Sequence, residues 1–319
     1  MMLCFITAQA QTVGVAVLTH GDAKTMFYGN TALQQAVEAA TEGDVISLSP
    51  GTFIGVDNFN KSDITIVGSG MDEGASQTIL TSLRLNAESM PDRHIRFTLK
   101  NVYIANNFSI HYAGNYDLYI EKCKTKNAFY CPISSEAGNS SNIKMSNCVS
   151  FGDNVFTNSS LKANNCVLKI YTGFDGAGER IMTNCILIGN FNGQNTASIS
   201  NCIVYNNGVS GMDRLPEGVR ATNCKAITSD SGFFGTQTLT NDTFGTDFDP
   251  FAEGSFYELR PELASEWVDE NGEQIGIYGG PEPFSAIPNA PRFTKFNVPT
   301  RTDADGKLPV EIEIAMPAK

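Results

Sequence analysis

The dipeptide Asn-Cys recurs through the middle of the chain at a nearly constant interval. Successive cysteines lie 18, 19, 17 and 22 residues apart, because the dipeptide occupies 147–148, 165–166, 184–185, 201–202 and 223–224. The same frame extends backwards to Lys122-Cys123 and, with valine in place of cysteine, to Asn101-Val102. A fixed period of about 20 residues is typical of repeat proteins, in which each unit stacks on its neighbours.

Each repeat carries the alternation of a half-buried strand that is interrupted once. Apolar residues stand five and three residues before the cysteine, at the cysteine itself and often two residues after it, as in Ile143, Met145 and Cys148. The phase breaks at the asparagine, which is the residue besides glycine that best tolerates the left-handed conformation. We therefore expect a strand, a bend at asparagine and a second strand, with asparagine side chains that hydrogen-bond along the stack.

This pattern resembles the right-handed parallel β-helix of the pectate-lyase-like superfamily, whose turns carry an asparagine ladder at such a bend. The predicted fold is all-β, a single-stranded right-handed parallel β-helix of about ten turns with an N-terminal capping helix and a short C-terminal β-hairpin extension. The predicted ladder consists of two columns, namely Asn101, Asn147, Asn165, Asn184, Asn201 and Asn223, and Cys123, Cys148, Cys166, Cys185, Cys202 and Cys224.

Both ends of the repeat agree with this resemblance. Residues 31–40 form an amphipathic helix pattern, capped by Asn30 or Thr31, that would cover the open end of the solenoid. The close of the repeat, Phe256–Pro261 followed by Gln274–Gly280, resembles that of secreted β-helix proteins of Bacteroidetes-type bacteria.

The chain divides into three predicted segments. Residues 1–11 end in Ala8-Gln9-Ala10, which fits a truncated signal peptide and an exported protein, whether extracellular, on the cell surface or periplasmic; Cys4 is a poor lipidation site. Residues 12–283 form the β-helix domain with its cap. Residues 284–319 are a proline-rich linker or edge-hugging extension, followed by a hairpin of strands 292–298 and 308–316.

The cysteines are predicted to be buried apolar residues rather than ligands or disulfides. In-register neighbours on parallel strands fit disulfide geometry poorly, and the chain has no Cys-x-x-Cys pair to hold a metal. Cys131 is out of phase, so it is the thiol that we expect to be most free to pair or react.

Composition excludes some partners. The formal net charge is −12 and the sequence pI about 4.7, which argues against nucleic-acid binding. No apolar run approaches the roughly 18 residues of a membrane-spanning helix.

No catalytic residue is identified, because the motifs of the polygalacturonase and pectate-lyase types are absent. Loop carboxylates and arginines, with two tyrosines that could stack on sugars, are the candidates for ligand binding. They are Asp153, Asp175, Glu179, Arg180, Asp213, Arg214, Tyr112 and Tyr116. If the loops of neighbouring turns project from one side, the carboxylates Asp153, Asp175, Glu179 and Asp213 would converge.

Two functions stay open. The first is an exported, cell-surface module that binds a polysaccharide or other glycan, or a protein partner, within a bacterial envelope assembly. The second is a polysaccharide-degrading enzyme, a lyase or a glycoside hydrolase. No cofactor is expected, although an enzyme of this resemblance would use calcium held by carboxylates.

Overall fold

The chain folds as an all-β, right-handed parallel β-helix of about eight turns. The computed structural model describes residues 14–72, 77–90, 92–136, 138–173, 178–189, 196–205, 215–238, 240–289, 291–297, 301–303 and 305–315; the side chains of 171–173 and 292–297 are not described.

The strands in the first half of the chain are β1 (Val15–His20), β2 (Ala23–Tyr28), β3 (Val45–Leu48), β4 (Gly51–Phe53), β5 (Val56–Phe59), β6 (Ile64–Val67), β7 (Thr78–Leu80), β8 (Leu83–Leu85), β9 (His94–Lys100), β10 (Tyr103–Ile104), β11 (Phe108–Ile110), β12 (Asn115–Glu121), β13 (Lys124–Thr125), β14 (Phe129–Tyr130), β15 (Ser140–Ser146) and β16 (Val149–Val155). The strands that follow are β17 (Ser160–Asn164), β18 (Val167–Gly173), β19 (Arg180–Thr183), β20 (Ile186–Gly189), β21 (Ala197–Ser200), β22 (Ile203–Tyr205), β23 (Val219–Thr222), β24 (Lys225–Ile227), β25 (Asp242–Phe244), β26 (Arg292–Asn297) and β27 (Glu311–Ala315). The helices are α1 (Ala32–Ala39), α2 (Pro261–Glu266) and a 3₁₀ turn at Ala87–Ser89.

These strands form two long sheets that run along the solenoid. The first sheet has the order β2-β1-β3-β6-β9-β12-β15-β17-β19-β21-β23, and its strands from β3 onwards pair in parallel. The second sheet has the order β25-β24-β22-β20-β18-β16-β13-β10-β7-β4, with the short run β5, β8, β11 and β14 joined to it. Each turn therefore contributes one strand to the first sheet, and one or, in the early turns, two strands to the second.

The corner between the two sheets is the predicted asparagine bend. All six asparagines of the column have φ between 51° and 57°, and Lys122, which replaces asparagine in one turn, has φ 51°. The residue after each bend turns inwards, so the six cysteines are fully buried in one continuous core as free thiols. The predicted bend and the predicted thiol column are both confirmed.

The number of turns is smaller than the sequence predicts, because both ends depart from the solenoid. At the N-terminus β1 pairs antiparallel with β2 and with β3, and α1 covers the core with Leu33, Ala36 and Val37. Residues 78–85 form two strands of a single turn, β7 and β8.

The outer face of the second sheet carries a core of its own. The residue directly after each cysteine points outwards, and in four consecutive turns it is apolar and buried, namely Val149, Val167, Ile186 and Ile203. The chain after β25 returns along this face and covers the row with Leu263, Trp267, Ile275 and Ile277. Both faces of the second sheet are thus packed in these turns.

The returning chain is held by the corner column. We call residues 267–289 the C-terminal strap. Asn165 Nδ2 donates to the carbonyl oxygens of Ile277 (2.8 Å) and Gly279 (2.7 Å), and Asn147 Oδ1 accepts from the backbone nitrogen of Ser285 (2.8 Å). Lys122 Nζ donates to the carbonyl of Ile287 and, at 2.7 Å, to Asn289 Oδ1.

The strap therefore replaces most of the predicted hydrogen bonds along the stack. Asn223 Nδ2 does donate to Asn201 Oδ1 at 2.9 Å, but Asn147 Oδ1 and Asn165 Nδ2 form hydrogen bonds with the strap instead. Gly280 fits this path because its φ is +75° and a Cβ there would lie 2.2 Å from Asn184 Nδ2.

Beyond the strap, β26 and β27 pair antiparallel as the predicted hairpin.

Within the described ranges, no helix is long and apolar enough to cross a membrane.

We expect Asn165→Ala to lower the free energy of unfolding by about 3 kcal/mol. The change removes two hydrogen bonds worth about 1 kcal/mol each and forces alanine into a left-handed conformation that costs about 1 kcal/mol. Urea unfolding measures this loss. The matched control is Asn164→Ala, whose exposed side chain neighbours the corner and should cost less than about 0.5 kcal/mol. Equal losses in the two variants would contradict the role of Asn165 in holding the strap.

Candidate functional site

A groove of about 690 Å³ lies on the outer face of the first sheet, across the strands from β6 to β19. Successive residues of a strand point to opposite faces, so the inward residues fill the core and the outward ones form rows that cross the sheet. Parallel pairing in register brings equivalent positions of successive turns side by side in these rows. The chemistry of the groove is therefore set by two columns of the repeat.

In the first row the charged and polar side chains bind one another. Arg96 binds Asp63 with two hydrogen bonds, from Nε to Oδ1 and from Nη2 to Oδ2, and its Nη2 lies 3.3 Å from Glu42 Oε1. In the next turn Asp117 accepts from Asn142 Nδ2 at 2.9 Å and lies 2.9 Å from His94 Nε2.

Electrostatics within this row fix Asp63 as a carboxylate. Hydrogen bonding to Arg96 lowers the pKa of Asp63 below its usual value, and Asp63 in turn raises the pKa of its exposed neighbour Glu42. The same pair raises the pKa of Arg96. Asp63 therefore keeps its charge in acid and is unsuited to donate a proton.

The second row carries uncompensated positive charge. Lys144 and Lys162 are directly paired in the register of β15 and β17, and both are exposed. Within the part of the chain that the structure describes, neither ammonium forms an ion pair or a hydrogen bond. Like charges placed side by side at about 4.8 Å strand spacing repel each other. An anion between them would relieve that repulsion.

Tyr119 precedes the two lysines in the same row. Its register partner on β15 is Lys144, and its ring is 38% exposed at the floor of the groove. The ammonium of Lys100, which is bound to Glu121 at 2.7 Å, lies 5.0 Å from the ring centroid. These contacts hold an aromatic ring beside the lysine pair.

The carboxylates of the groove are poorly spaced for glycoside hydrolysis. Asp117 and Glu179 are separated by three strand steps, or about 14 Å, whereas paired catalytic carboxylates lie about 5 to 9.5 Å apart. Asp63 and Asp117 are two steps apart, about 10 Å, but Arg96 stands between them and holds Asp63 ionised.

The structure separates the loop residues that the sequence analysis grouped. Glu179 is exposed and lines the groove, whereas Asp153 lies on the second sheet, where Lys169 binds it at 2.8 Å. Arg180 is 1% exposed, because it points into the solenoid in phase with the apolar positions of β19. Asp175, Asp213 and Arg214 lie outside the described residues. Glu179 and Asp153 therefore do not converge.

The two candidate tyrosines do not form a platform. Tyr116 is fully buried, where its hydroxyl donates to the carbonyl of Ala113 (3.2 Å) and accepts from the nitrogen of Ala87 (3.0 Å). Tyr112 is exposed, and its ring packs on His111 with centroids 4.3 Å apart, away from the groove. The tyrosine that lines the groove is Tyr119 instead.

Cys131 is not the reactive thiol that the sequence analysis expected. It is fully buried in the main core, and burial raises the pKa of its thiol. The same cause raises the pKa of Cys123 and Cys224 in the column. Thiolate chemistry is therefore disfavoured at these positions.

Apart from Glu179, the residues that line the groove were not among the predicted site residues, although the repeat frame contained the signal. Four residues before the cysteine of three successive repeats stand Tyr119, Lys144 and Lys162, and six residues before it stand Asp117 and other polar residues. These positions alternate with the apolar ones, so they had to face outwards.

The fold and this groove define the chain as a right-handed parallel β-helix with a polar groove on one sheet. Comparisons with protein-family models, with curated proteins and with solved structures found no match. No three His, Cys, Asp or Glu side chains in the described ranges are close enough together to hold a metal ion.

We expect Arg96→Gln to make the free energy of unfolding less dependent on pH in the acid range. The folded pKa of Asp63 lies below its usual 3.8, so the pair stabilises the fold fully above that value and progressively less as the pH falls through the lowered pKa. The loss caused by Arg96→Gln should therefore be largest at neutral pH and shrink towards about pH 2. Urea unfolding at several pH values measures this difference.

Arg220→Gln is the matched control, because Arg220 is an exposed residue of the same sheet that forms no ion pair in the described residues. A constant difference between Arg96→Gln and the unsubstituted protein at every pH would contradict the coupling of Arg96 to Asp63.

Proposed function

We propose that this protein is an exported carbohydrate-recognition module that binds an acidic glycan along the groove of the first sheet. The observation that carries the proposal is the pair Lys144 and Lys162, two exposed ammonium groups in direct register without a counter-ion in the described chain. A carboxylate or sulfate group of a glycan would supply that counter-ion.

The surroundings of the lysine pair suit a sugar chain. Tyr119 offers an aromatic ring, and aromatic faces pack on the apolar faces of sugar rings. Asn142 and Ser160 line the groove and supply polar groups in the row beside the lysines. The groove crosses five neighbouring strands of the sheet, from β6 to β17, with Glu179 just before β19 at its far end, so it is long enough to contact several sugar residues.

The charges nearest to the glycan matter more for its binding than the net charge of the chain does. The chain is acidic overall, which slows the approach of a polyanion at low salt. Exposed charges farther away than the Debye length of about 8 Å at physiological salt are largely screened. An acidic residue of the glycan in contact with both ammonium groups therefore experiences mainly the charges of the groove, where the two contacting lysines act at shorter range than Asp117 and Glu179.

Recognition fits the groove better than hydrolysis does. The spacing of Asp117 and Glu179 and the ion pair of Asp63 argue against a catalytic acid–base pair among the three carboxylates that line the groove. A lyase would need only one base near an acidic sugar, so it remains the alternative that the binding experiment must separate.

The wider assignment follows from the sequence. We propose membership of the pectate-lyase-like superfamily, and the capping helix, the asparagine corner and the parallel turns support this resemblance. Export to the envelope of a Bacteroidetes-type bacterium rests on the signal-like residues 1–11 and on the resemblance at the close of the repeat. A chain recovered outside the cytoplasm should begin near Gln11, and N-terminal sequencing checks this.

The test compares acidic polysaccharides, both uronate and sulfated, with a neutral dextran by isothermal titration calorimetry. We expect saturable binding of at least one acidic polymer, and the double variant Lys144→Gln/Lys162→Gln should weaken it by at least about tenfold, or about 1.4 kcal/mol. The salt dependence of the affinity should fall as well, because fewer charges contact the glycan.

Lys24→Gln/Lys126→Gln is the matched control, because it removes two exposed lysines outside the groove and should leave the affinity unchanged. Preferential binding of the neutral polymer, or equal losses in both double variants, would reject the proposed site. Formation of unsaturated, ultraviolet-absorbing product that is abolished in Lys144→Gln/Lys162→Gln would identify a lyase instead.

A further inference from the structure

A second concave site lies on the second sheet near its C-terminal end, on a different sheet from the lysine pair and two or more turns beyond it. A cavity of about 420 Å³ is lined by Tyr205 at the end of β22 and by the segment after β25, with Asp247, Phe248, Asp249 and Phe251. A neighbouring cavity of about 360 Å³ shares Asp249 and Phe251 and adds Glu253. Together they form what we call the C-terminal pocket.

Aromatic rings form the walls of the C-terminal pocket. Tyr205 and Phe251 stack with ring centroids 5.5 Å apart at 29°, and Tyr257 meets Phe251 edge-on at 5.0 Å. Tyr257 has φ 58°, a left-handed conformation that aromatic residues rarely adopt. The walls are thus held by ring packing and by a locally strained backbone.

The rim of the C-terminal pocket is acidic. Asp247, Asp249 and Glu253 are exposed and form no ion pair in the described residues, and no lysine or arginine is among the lining residues. The charge of Asp249 reaches inside, because it adds to burial in raising the pKa of Tyr205. Such a site repels anions and attracts cations.

Its chemistry favours an organic cation over a metal ion. Within the described residues, the carboxylates of the pocket do not belong to any group of three His, Cys, Asp or Glu side chains that could hold a metal ion. Aromatic faces, by contrast, bind ammonium groups directly, and the protein already shows this nearby, where the guanidinium of Arg260 lies 5.3 Å from the ring centroid of Phe248.

We propose that the C-terminal pocket binds a small organic cation, a protonated or quaternary amine held against Tyr205 and Phe251 and neutralised by Asp247 and Asp249. This site is separate from the glycan groove and does not depend on the proposed function. The ligand would enter from the acidic rim with its cationic group towards the rings.

The single tryptophan of the chain provides a built-in reporter. Trp267 is 2% exposed, and its ring lies 5.9 Å from that of Phe248 in the pocket wall. The experiment titrates the full chain with choline and, separately, with 3,3-dimethyl-1-butanol, which has the same shape without the charge. Tryptophan fluorescence and calorimetry follow binding at constant ionic strength.

We expect choline to bind saturably and the neutral alcohol to bind at least about tenfold more weakly, because only the cation gains from the carboxylates and rings. Asp249→Asn should weaken choline binding by about tenfold. It keeps the side-chain oxygen that accepts from the Phe251 nitrogen at 3.0 Å, so the loop should fold as before. Glu266→Gln, an exposed carboxylate outside the pocket, is the matched control and should change nothing.

Three outcomes would overturn the proposal. Equal affinity for choline and the alcohol would show a merely apolar pocket, and displacement of choline by equimolar calcium would show a metal site. Absence of saturable choline binding by a chain that unfolds cooperatively would show that the pocket takes no organic cation. Lys144→Gln/Lys162→Gln should bind choline normally, which keeps this test distinct from that of the glycan groove.

Discussion

The left-handed corner at one residue of each turn is the constraint on which the rest of the structure depends. Asparagine adopts φ near 50° at little cost, so the chain reverses from the first sheet to the second at the same point in each repeat. The next residue is then directed inwards, and a small thiol fills that narrow position. The same corner leaves an amide pointing outwards, where it binds the C-terminal strap at Asn147 and Asn165.

The parallel register of the turns arranges the outward side chains into rows on the surface. Because equivalent residues of successive turns lie side by side, one outward column of the repeat becomes a row across the sheet. In the first sheet that row presents Tyr119, Lys144 and Lys162 to solvent. In the second sheet the corresponding outward row is apolar from Val149 to Ile203, and the returning chain covers it. The row of the first sheet is thus exposed, whereas this row of the second sheet is covered.

Much of the fold follows from local sequence, and most of the site does not. The asparagine bend, the thiol column, the capping helix and the final hairpin all arise from short-range patterns that specify backbone conformation or the buried face. The run of three apolar residues at Cys166, Val167 and Leu168 also signalled a strand buried on both faces, but only the strap explains what covers it. The contacts of Asp153 and Glu179 carried no such signal, because they depend on which side chains of neighbouring turns lie beside them.

By itself, the sequence determined the period, the position of each bend and the alternation of inward and outward side chains. These depend on the conformational preference of asparagine and on the burial of every second residue, and both are local properties. Only the tertiary structure decided that Arg96 would neutralise Asp63, that Lys144 and Lys162 would be left as uncompensated neighbours, and that residues 267–289 would bind the asparagine corner. Such contacts join residues from different turns or from opposite ends of the chain, and their formation depends on the stacking of the turns and the return of the chain.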